Sequence, residues 1–207
     1  MTTLRRIGIP GTSTASWGEH LCAFFYTKAH LLDLLVPYIK TGLEDNEYCL
    51  WITGESVMKE EALHALEGIM PDAATYLASN QLAIISYREW YFSSGVFNPQ
   101  KSFDNWAARA QCAKANGFSG TRTTGNPFWL QSEEDWTRFL DYEHIVNRAI
   151  ETQRVISLCT YPVDICNSKN MLSTLASHHA MLLSHGDEWK CLDLRGRGAM
   201  TQADHRN

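Results

Sequence analysis

Runs of apolar residues alternate along this chain with stretches that carry an apolar residue at every third or fourth position. Short runs rich in β-branched and aromatic residues predict buried strands, and the 3.6-residue period predicts helices. The predicted strands are 20–26, 47–53, 82–86, 118–124 and 155–161, with a final strand or hairpin at 181–192. The predicted helices are 28–41, 57–67, a short one from Pro71, 102–116, 132–151 and 168–178, and 87–100 is a predicted loop. This alternation predicts an α/β fold with three layers, doubly wound around a mostly parallel central sheet.

The first predicted strand and helix have the order of a nucleotide-binding domain without its phosphate site. A Walker A motif places G-x-x-x-x-G-K-[ST] at this turn, because bare backbone N–H groups must wrap around the phosphates. Here the turn is Tyr26-Thr27-Lys28-Ala29-His30, which contains no glycine. The sequence therefore predicts the fold of a nucleotide-binding domain without its phosphate chemistry. This favours a role in binding or sensing over catalysis on a nucleotide.

One carboxylate is predicted to face the core. Glu143 follows Trp136, Phe139 and Leu140 by seven, four and three residues, so helical spacing places it on the same apolar stripe. A buried carboxylate needs a partner or a proton. Arg122, on the preceding predicted strand, is the expected partner, and the pair either braces the fold or belongs to a pocket.

Ligands of open parallel sheets bind at the carboxyl ends of the strands, near the switch in strand order. Aromatic residues and a few polar groups follow the strands of this chain. This mixture is typical of an apolar pocket that orients a small molecule. The strand-end candidates are Tyr26, Thr27, Glu55, Tyr87, Arg88, Gly125, Asn126, Trp129, Tyr161 and Asp164.

Composition limits the classes of function. The chain has 207 residues, of which 44% are hydrophobic and 20% charged, as in a globular protein. A net charge of −5 without a long Lys/Arg run argues against a nucleic-acid surface. No apolar run approaches the roughly 20 residues that span a bilayer, and the first residues lack a signal-peptide core. We therefore expect a cytoplasmic protein with no membrane partner, consisting of a leader (1–17), one domain (18–192) and a polar tail (193–207).

The six cysteines leave two interpretations open. None forms a C-x-x-C pair, and buried reduced thiols are the simpler expectation in a cytoplasmic protein. The alternative is a soft-metal or haem site built from His20, Cys22 and Cys159, since residues at i and i+2 on a strand share one face. Without a second paired motif the default prediction is no cofactor.

Several short blocks together resemble the MEDS domain, the methanogen/methylotroph DcmR sensory domain. The blocks are Gly18–Cys22, Gly42–Thr53, Arg122–Gly125, Tyr142-Glu143, Leu158–Tyr161 and His178. They occur in order and cover roughly residues 18–185. The resemblance implies a RecA/KaiC-related fold and a non-catalytic module of prokaryotic signal transduction that senses simple hydrocarbon derivatives. It also implies a signalling partner such as a histidine kinase or transcriptional regulator, and it leaves homo-oligomerisation open.

The resemblance also implies ligand-site residues, matched position by position. His20 and Cys22 match an H-x-C block, Cys159 and Tyr161 a C-x-Y block, and the R-x-x-G and tyrosine–glutamate blocks supply Arg122, Gly125 and Glu143. The chain departs from the pattern in two places. Asn126-Pro127 stands where an acid is expected, and Pro162-Val163 separates Tyr161 from Asp164. If those acids contact ligand, the specificity of this chain differs.

Two other classes of function stay open. A degenerate ATPase would use Glu55 as a general base, in the place where KaiC-like proteins keep a glutamate. A protein-interaction module would act in a regulatory cascade without a small-molecule ligand.

Overall fold

The computed structural model describes residues 4–12, 14–185 and 188–196. Its strands are β1 (Leu4–Arg6), β2 (Thr14–Ser16), β3 (Glu19–Phe25), β4 (Tyr48–Thr53), β5 (Leu82–Ser86), β6 (Thr121–Gly125), β7 (Val155–Pro162), β8 (Ala180–His185) and β9 (Glu188–Asp193). Its α-helices are α1 (Lys28–Glu44), α2 (Lys59–Glu67), α3 (Ala73–Ala78), α4 (Tyr87–Tyr91), α5 (Pro99–Ala115), α6 (Glu133–Ile150) and α7 (Ser168–Ala176), and a 3₁₀ turn covers Val163–Ile165.

A seven-stranded sheet forms the centre, in the order β5-β4-β6-β7-β3-β8-β9. Every pairing in it is parallel except that of β8 with β9. Helices α1–α3 pack on one face and α4–α7 on the other, as the two apolar clusters show. The predicted three-layer, doubly wound fold is confirmed.

The helices change face where the chain reverses direction across the sheet. From β3 the chain runs outward to β4 and β5, and it then returns through β6 and β7 to β8 on the far side of β3. Right-handed crossovers in opposite directions must lie on opposite faces, which places α1–α3 and α4–α7 as observed. The connections that leave β4 and β6, which are neighbours, therefore diverge, which is the arrangement that forms the ligand crevice of open α/β sheets at the carboxyl ends of the strands.

The central strands are covered on both faces. All residues of β4, β6 and β7 are buried, as expected for parallel strands between two helical layers. Successive side chains alternate between the faces, so Leu50 packs with α4–α7 and Trp51 with α1–α3. This alternation decides which candidate residues can meet.

The segment predicted as a leader packs onto the domain. β1 and β2 pair as an antiparallel hairpin, and Ile7 and Ile9, both 1% exposed, lie in the same core cluster as α1. These strands are only three residues long, which is too short for a period to be read from the sequence. At the other end, Arg195 pairs with Glu19 of β3, and positions 197–207 of the predicted tail lie outside the described residues.

The predicted loop at 87–100 is partly helical. Ser86 caps α4 through a capping box with Glu89, and Asn98 caps α5, which starts at Pro99. The glycine and aromatic content of this stretch concealed both caps. Among the described residues, none of the helices has the length and apolar character to cross a membrane.

Candidate functional site

Four buried side chains converge on the face of the sheet that carries α6. They are His20 on β3, Glu143 on α6, Cys159 on β7 and His178 between α7 and β8. One ligand-type atom from each lies within 4.8 Å of the others. We call this group the His–Glu–Cys cluster.

Local sequence explains how each member reaches the cluster. β3 and β7 are parallel neighbours in the register Cys22↔Cys159, so His20 and Cys159 point to the same face, two residues apart in register. Helix α6 starts at its Ser132 cap and lays Trp136 and Phe139 on the sheet. Glu143 follows Phe139 by one turn and therefore points inward.

The carboxylate of Glu143 lies between the two imidazoles. His20 Nε2 and His178 Nε2 are each 3.2 Å from Glu143 Oε2. Cys159 Sγ lies 3.4 Å from His20 Nε2 and 4.0 Å from Glu143 Oε1. The imidazole rings themselves are 4.0 Å apart between centroids.

The far nitrogen of each ring has its own partner. His178 Nδ1 lies 2.7 Å from the Thr174 carbonyl oxygen, and His20 Nδ1 lies 3.2 Å from Asn147 Oδ1. Both partners are oxygens that accept, so both Nδ1 atoms carry the proton. When a ring is neutral, its Nε2 then presents a lone pair to the centre of the cluster, and when it is protonated, its Nε2 donates to Glu143 Oε2.

Burial and mutual charge set the protonation of the cluster. Burial lowers the pKa of His20, and the neighbouring His178 lowers it further. Burial opposes ionisation of Glu143, but the facing His178 and His20 outweigh it and lower the pKa of this carboxyl to about 2. Burial raises the pKa of the Cys159 thiol well above its usual value, and the Glu143 charge adds to this.

Arg122 does not pair with Glu143, so the predicted pairing is wrong. The register Arg122↔Cys49 puts the arginine on the α1 face, whereas Glu143 lies on the α6 face. Arg122 Nε instead donates to Glu47 Oε2 at 2.6 Å, and both side chains are fully buried. Its other nitrogens donate to the carbonyls of Arg6, Ile7 and Tyr38. This arginine therefore braces the fold across the sheet from the cluster.

The structure brings together two of the three residues considered as the alternative metal site. His20 and Cys159 belong to the cluster, but Cys22 lies two residues beyond His20 on β3 and contributes no atom to it. Glu143 and His178 complete the group instead. The inward spacing of Glu143 was visible in the sequence, and His178 was visible only through the family resemblance.

Asn126 lies at the switch in strand order, just after β6. It is 2% exposed, and neither atom of its amide has a hydrogen-bond partner among the described residues. Gly54, at the end of β4, faces it, since a Cβ there would lie 3.4 Å from Asn126 Cγ and 2.6 Å from the Phe128 ring. The close approach of the two strand ends requires glycine at position 54.

Trp129 belongs to an aromatic group beside this strand end. Its ring lies 4.9 Å from Phe92 and from Phe97, 5.7 Å from Tyr91 and 5.8 Å from Phe139. The Trp129 Nε1 donor is buried without a partner in the described part of the chain. We call these five residues the aromatic group.

Tyr161 lies between the cluster and the strand ends. It is fully buried, its ring meets that of His178 edge-on at 5.9 Å, and it also packs on Trp136. Its hydroxyl has no partner within the described residues.

Three predicted site residues lie elsewhere. Tyr26 is 76% exposed and stacks on His30. Glu55 is exposed at the end of β4, where it accepts from the Tyr87 hydroxyl and pairs with Arg88. Asp164 is exposed on the 3₁₀ turn. None of the three contributes an atom to the His–Glu–Cys cluster.

A small cavity of about 20 Å³ adjoins the cluster and the aromatic group. Its lining includes Cys159 and Glu143 of the cluster, Tyr91 of the aromatic group, Tyr142 and the end of β6, but neither Asn126 nor Trp129. This volume accommodates about one water-sized molecule. The site thus combines a buried set of donor atoms, a small space and aromatic walls.

Comparison with known proteins agrees with this architecture. Residues 19–179 match the family model described as MEDS, the methanogen/methylotroph, DcmR sensory domain. The transcriptional repressor DcmR of Methylorubrum extorquens is 26% identical over 166 residues, which cover 79% of this chain and 59% of the repressor. The chain thus spans about three fifths of the length of that curated relative.

Two solved structures share the fold. A KaiC-like protein from Pyrococcus horikoshii superposes with a TM-score of 0.63 at 13% identity, over 92% of this chain and 86% of the other. The flagellar accessory protein FlaH from Methanocaldococcus jannaschii gives 0.53 at 12% identity, over 90% and 79%. The predicted RecA/KaiC-like fold is confirmed, and the family match covers most of the chain. This protein belongs to the MEDS family of sensory domains.

Proposed function

We propose that this domain senses a small organic molecule, a simple hydrocarbon derivative, and does so without converting it chemically. Its membership of a sensory family and its similarity to a transcriptional repressor support a role in regulatory signalling. The finer claim, that a small molecule binds here, rests on the chemistry at the carboxyl edge of the sheet.

The orphaned amide of Asn126 carries the proposal. A buried polar group without a hydrogen bond lowers the stability of the fold by roughly 1–3 kcal/mol. Both the nitrogen and the oxygen of the Asn126 amide are buried without a hydrogen-bond partner among the described residues. The side chain lies at the crevice between β4 and β6, where open α/β sheets bind their ligands. A polar group on a ligand would satisfy this amide, which accounts for an otherwise unfavourable side chain.

The surroundings limit the ligand to a small molecule with an apolar body. The aromatic group offers apolar surface and one unpartnered donor, Trp129 Nε1. The neighbouring cavity of about 20 Å³ leaves little room before the aromatic rings move. A short carbon chain with a single polar function suits both limits.

We propose that the signal is passed to the transcription machinery. The relative from Methylorubrum extorquens is a transcriptional repressor and is longer than the region matched here. The net charge of −5 favours output through a protein partner, such as a histidine kinase or a transcriptional regulator, over direct contact of this domain with DNA.

Thermal unfolding in the presence of short-chain alcohols, amines, carboxylates and halocarbons tests the proposal. A ligand that binds only the folded state raises the melting temperature. We expect at least one class to do so in the wild type and not in Asn126→Ala or Trp129→Leu. Asn105→Ala, a partly exposed amide on α5, is the matched control and keeps the response.

Two results would contradict the proposal. If no compound of the panel shifts the melting temperature, the domain does not sense this class of molecule. If the shift persists undiminished in both variants, the ligand binds elsewhere.

A further inference from the structure

We propose that the His–Glu–Cys cluster binds one divalent transition-metal ion of the zinc class. Ligands about 2.0–2.3 Å from a tetrahedral zinc lie roughly 3.3–3.7 Å from one another. The contacts of 3.2, 3.2 and 3.4 Å that join His20, Glu143, His178 and Cys159 are close to that range. Three of the six ligand-to-ligand distances thus already match a coordination shell, and all six lie within 4.8 Å.

The tautomers of the two histidines direct lone pairs at a common point. If His178 carried its proton on Nε2, the Nδ1 lone pair would face the Thr174 carbonyl oxygen at 2.7 Å, which is repulsive. His20 is oriented in the same way by Asn147. Metal-bound histidines characteristically donate their other N–H to a carbonyl or amide oxygen, and both rings do so here.

Hydrogen bonds within the cluster cannot satisfy these atoms. Glu143 Oε2 and His178 Nε2 have no hydrogen-bond partner among the described residues. One imidazolium would neutralise the carboxylate but would leave the Nε2 lone pair of the other ring directed at Glu143 Oε2. Two imidazolium ions would repel each other strongly, because the rings are buried and only 4.0 Å apart. A single cation at the centre satisfies all four groups at once.

Charge balance indicates a divalent ion. Within the described part of the chain, no Lys or Arg forms an ion pair with Glu143, and Arg122 is committed to Glu47 on the other face. A divalent cation with one carboxylate and one thiolate forms a neutral buried unit. The Cys159 S–H bond breaks as the S–metal bond forms, and the proton leaves to solvent.

The ligand set selects among metals. Two imidazoles, a carboxylate and a thiolate suit Zn²⁺, and Co²⁺ or Fe²⁺ can take the same geometry, whereas Mg²⁺ and Ca²⁺ require oxygen donors. Cobalt serves as the probe, because its visible absorption reports four-coordinate geometry and its near-ultraviolet band reports a thiolate ligand.

The experiment uses the full chain in two steps. Elemental analysis of the protein purified without chelator is expected to find about one zinc-class ion per chain. The protein stripped by chelator is then titrated with Co²⁺, and we expect saturation at one equivalent with both absorption bands. Calorimetry in buffers of different ionisation enthalpy measures the number of protons released per metal ion bound. We expect the thiol proton of Cys159 to be among them.

The chain provides matched controls. Cys159→Ser is expected to lose the thiolate band, whereas Cys22→Ser, its buried neighbour in register on β3, keeps both bands and the stoichiometry. Asn147→Ala removes the partner of one histidine and should weaken Co²⁺ binding by about 10–100-fold. Asn126→Ala abolishes any small-molecule response but leaves the cobalt spectrum unchanged, so the two proposals fail independently.

The proposal is overturned if wild-type protein holds far less than one equivalent and shows no saturable cobalt spectrum. The proposal is also overturned if Cys159→Ser keeps the thiolate band and Cys22→Ser loses it. The wild-type measurements do not depend on any variant folding, and circular dichroism confirms the fold of each variant that is compared.

Discussion

Replacing Arg122 by alanine should destabilise the whole domain rather than alter a binding site. Its guanidinium is fully buried and makes four hydrogen bonds, to Glu47 and to three backbone carbonyls of the β1 segment and α1. These bonds join β6 to elements far away in the sequence. The perturbation therefore loosens the packing of α1 and the N-terminal hairpin on the sheet.

The expected loss of unfolding free energy depends on the buried charge of Glu47, which the substitution leaves without Arg122. Removing one partner of a buried ion pair costs about 3–5 kcal/mol, because the other charge stays buried. Glu47 keeps one further partner, since Arg5 Nε donates to its Oε1 at 2.9 Å, which favours the lower half of that range. The loss is large against a total stability of about 5–15 kcal/mol, and a melting temperature lower by roughly 6–16 °C is expected at this chain length.

Urea unfolding followed by tryptophan fluorescence measures the effect. Arg88→Ala, which removes an exposed ion pair with Glu55, is the control and should change stability by less than about 1 kcal/mol. The double variant Glu47→Leu/Arg122→Met should recover much of the loss, because it removes both charges together. A stable Arg122→Ala protein, with a loss below about 1 kcal/mol, would refute this reasoning.

Three further substitutions test local features. Ser132→Ala removes the cap that accepts from Asp135 N at 3.1 Å and should cost about 1 kcal/mol in urea unfolding; no change would mean that the cap is dispensable. Gly120→Ala would place a Cβ 2.3 Å from the Trp17 ring and should cost about 1–3 kcal/mol; an unchanged melting curve would contradict this close packing. Lys59 and the Ser86 cap lower the pKa of Glu89 to about 2, so its stabilisation is present above pH 4.5 and is lost as pH falls towards 2. The stability difference between wild type and Glu89→Gln should shrink over that pH range, and a constant difference would show that this charge is not involved.

The sequence was sufficient for the elements whose patterns are long. The apolar runs of β4 and β7 predict strands, and the apolar stripe of α6 predicts a helix. The inward position of Glu143 then follows from its helical spacing behind Phe139. The order of strands and helices then limits the fold to a doubly wound sheet. The rule that ligands bind at strand ends singled out Asn126, which comes directly after β6, and its role in binding stays a prediction.

Partners across the sheet could not be predicted, because they depend on strand order and register. Arg122 and Glu143 are close in sequence, yet a shift of one position along β6 decides which face the arginine occupies. Its actual partner, Glu47, precedes β4, which only the sheet order makes a neighbour of β6. His178 follows a helix end, where no period indicates direction.

The sheet separates two buried carboxylates that are neutralised in different ways. Glu47 faces a guanidinium that is covalently part of the chain, so its counter-charge is present under all conditions. Glu143 faces two imidazoles and, within the described residues, no Lys or Arg. Only one face of the sheet therefore supplies its buried carboxylate with a permanent counter-charge, and the other leaves that charge to groups that can lose or exchange it.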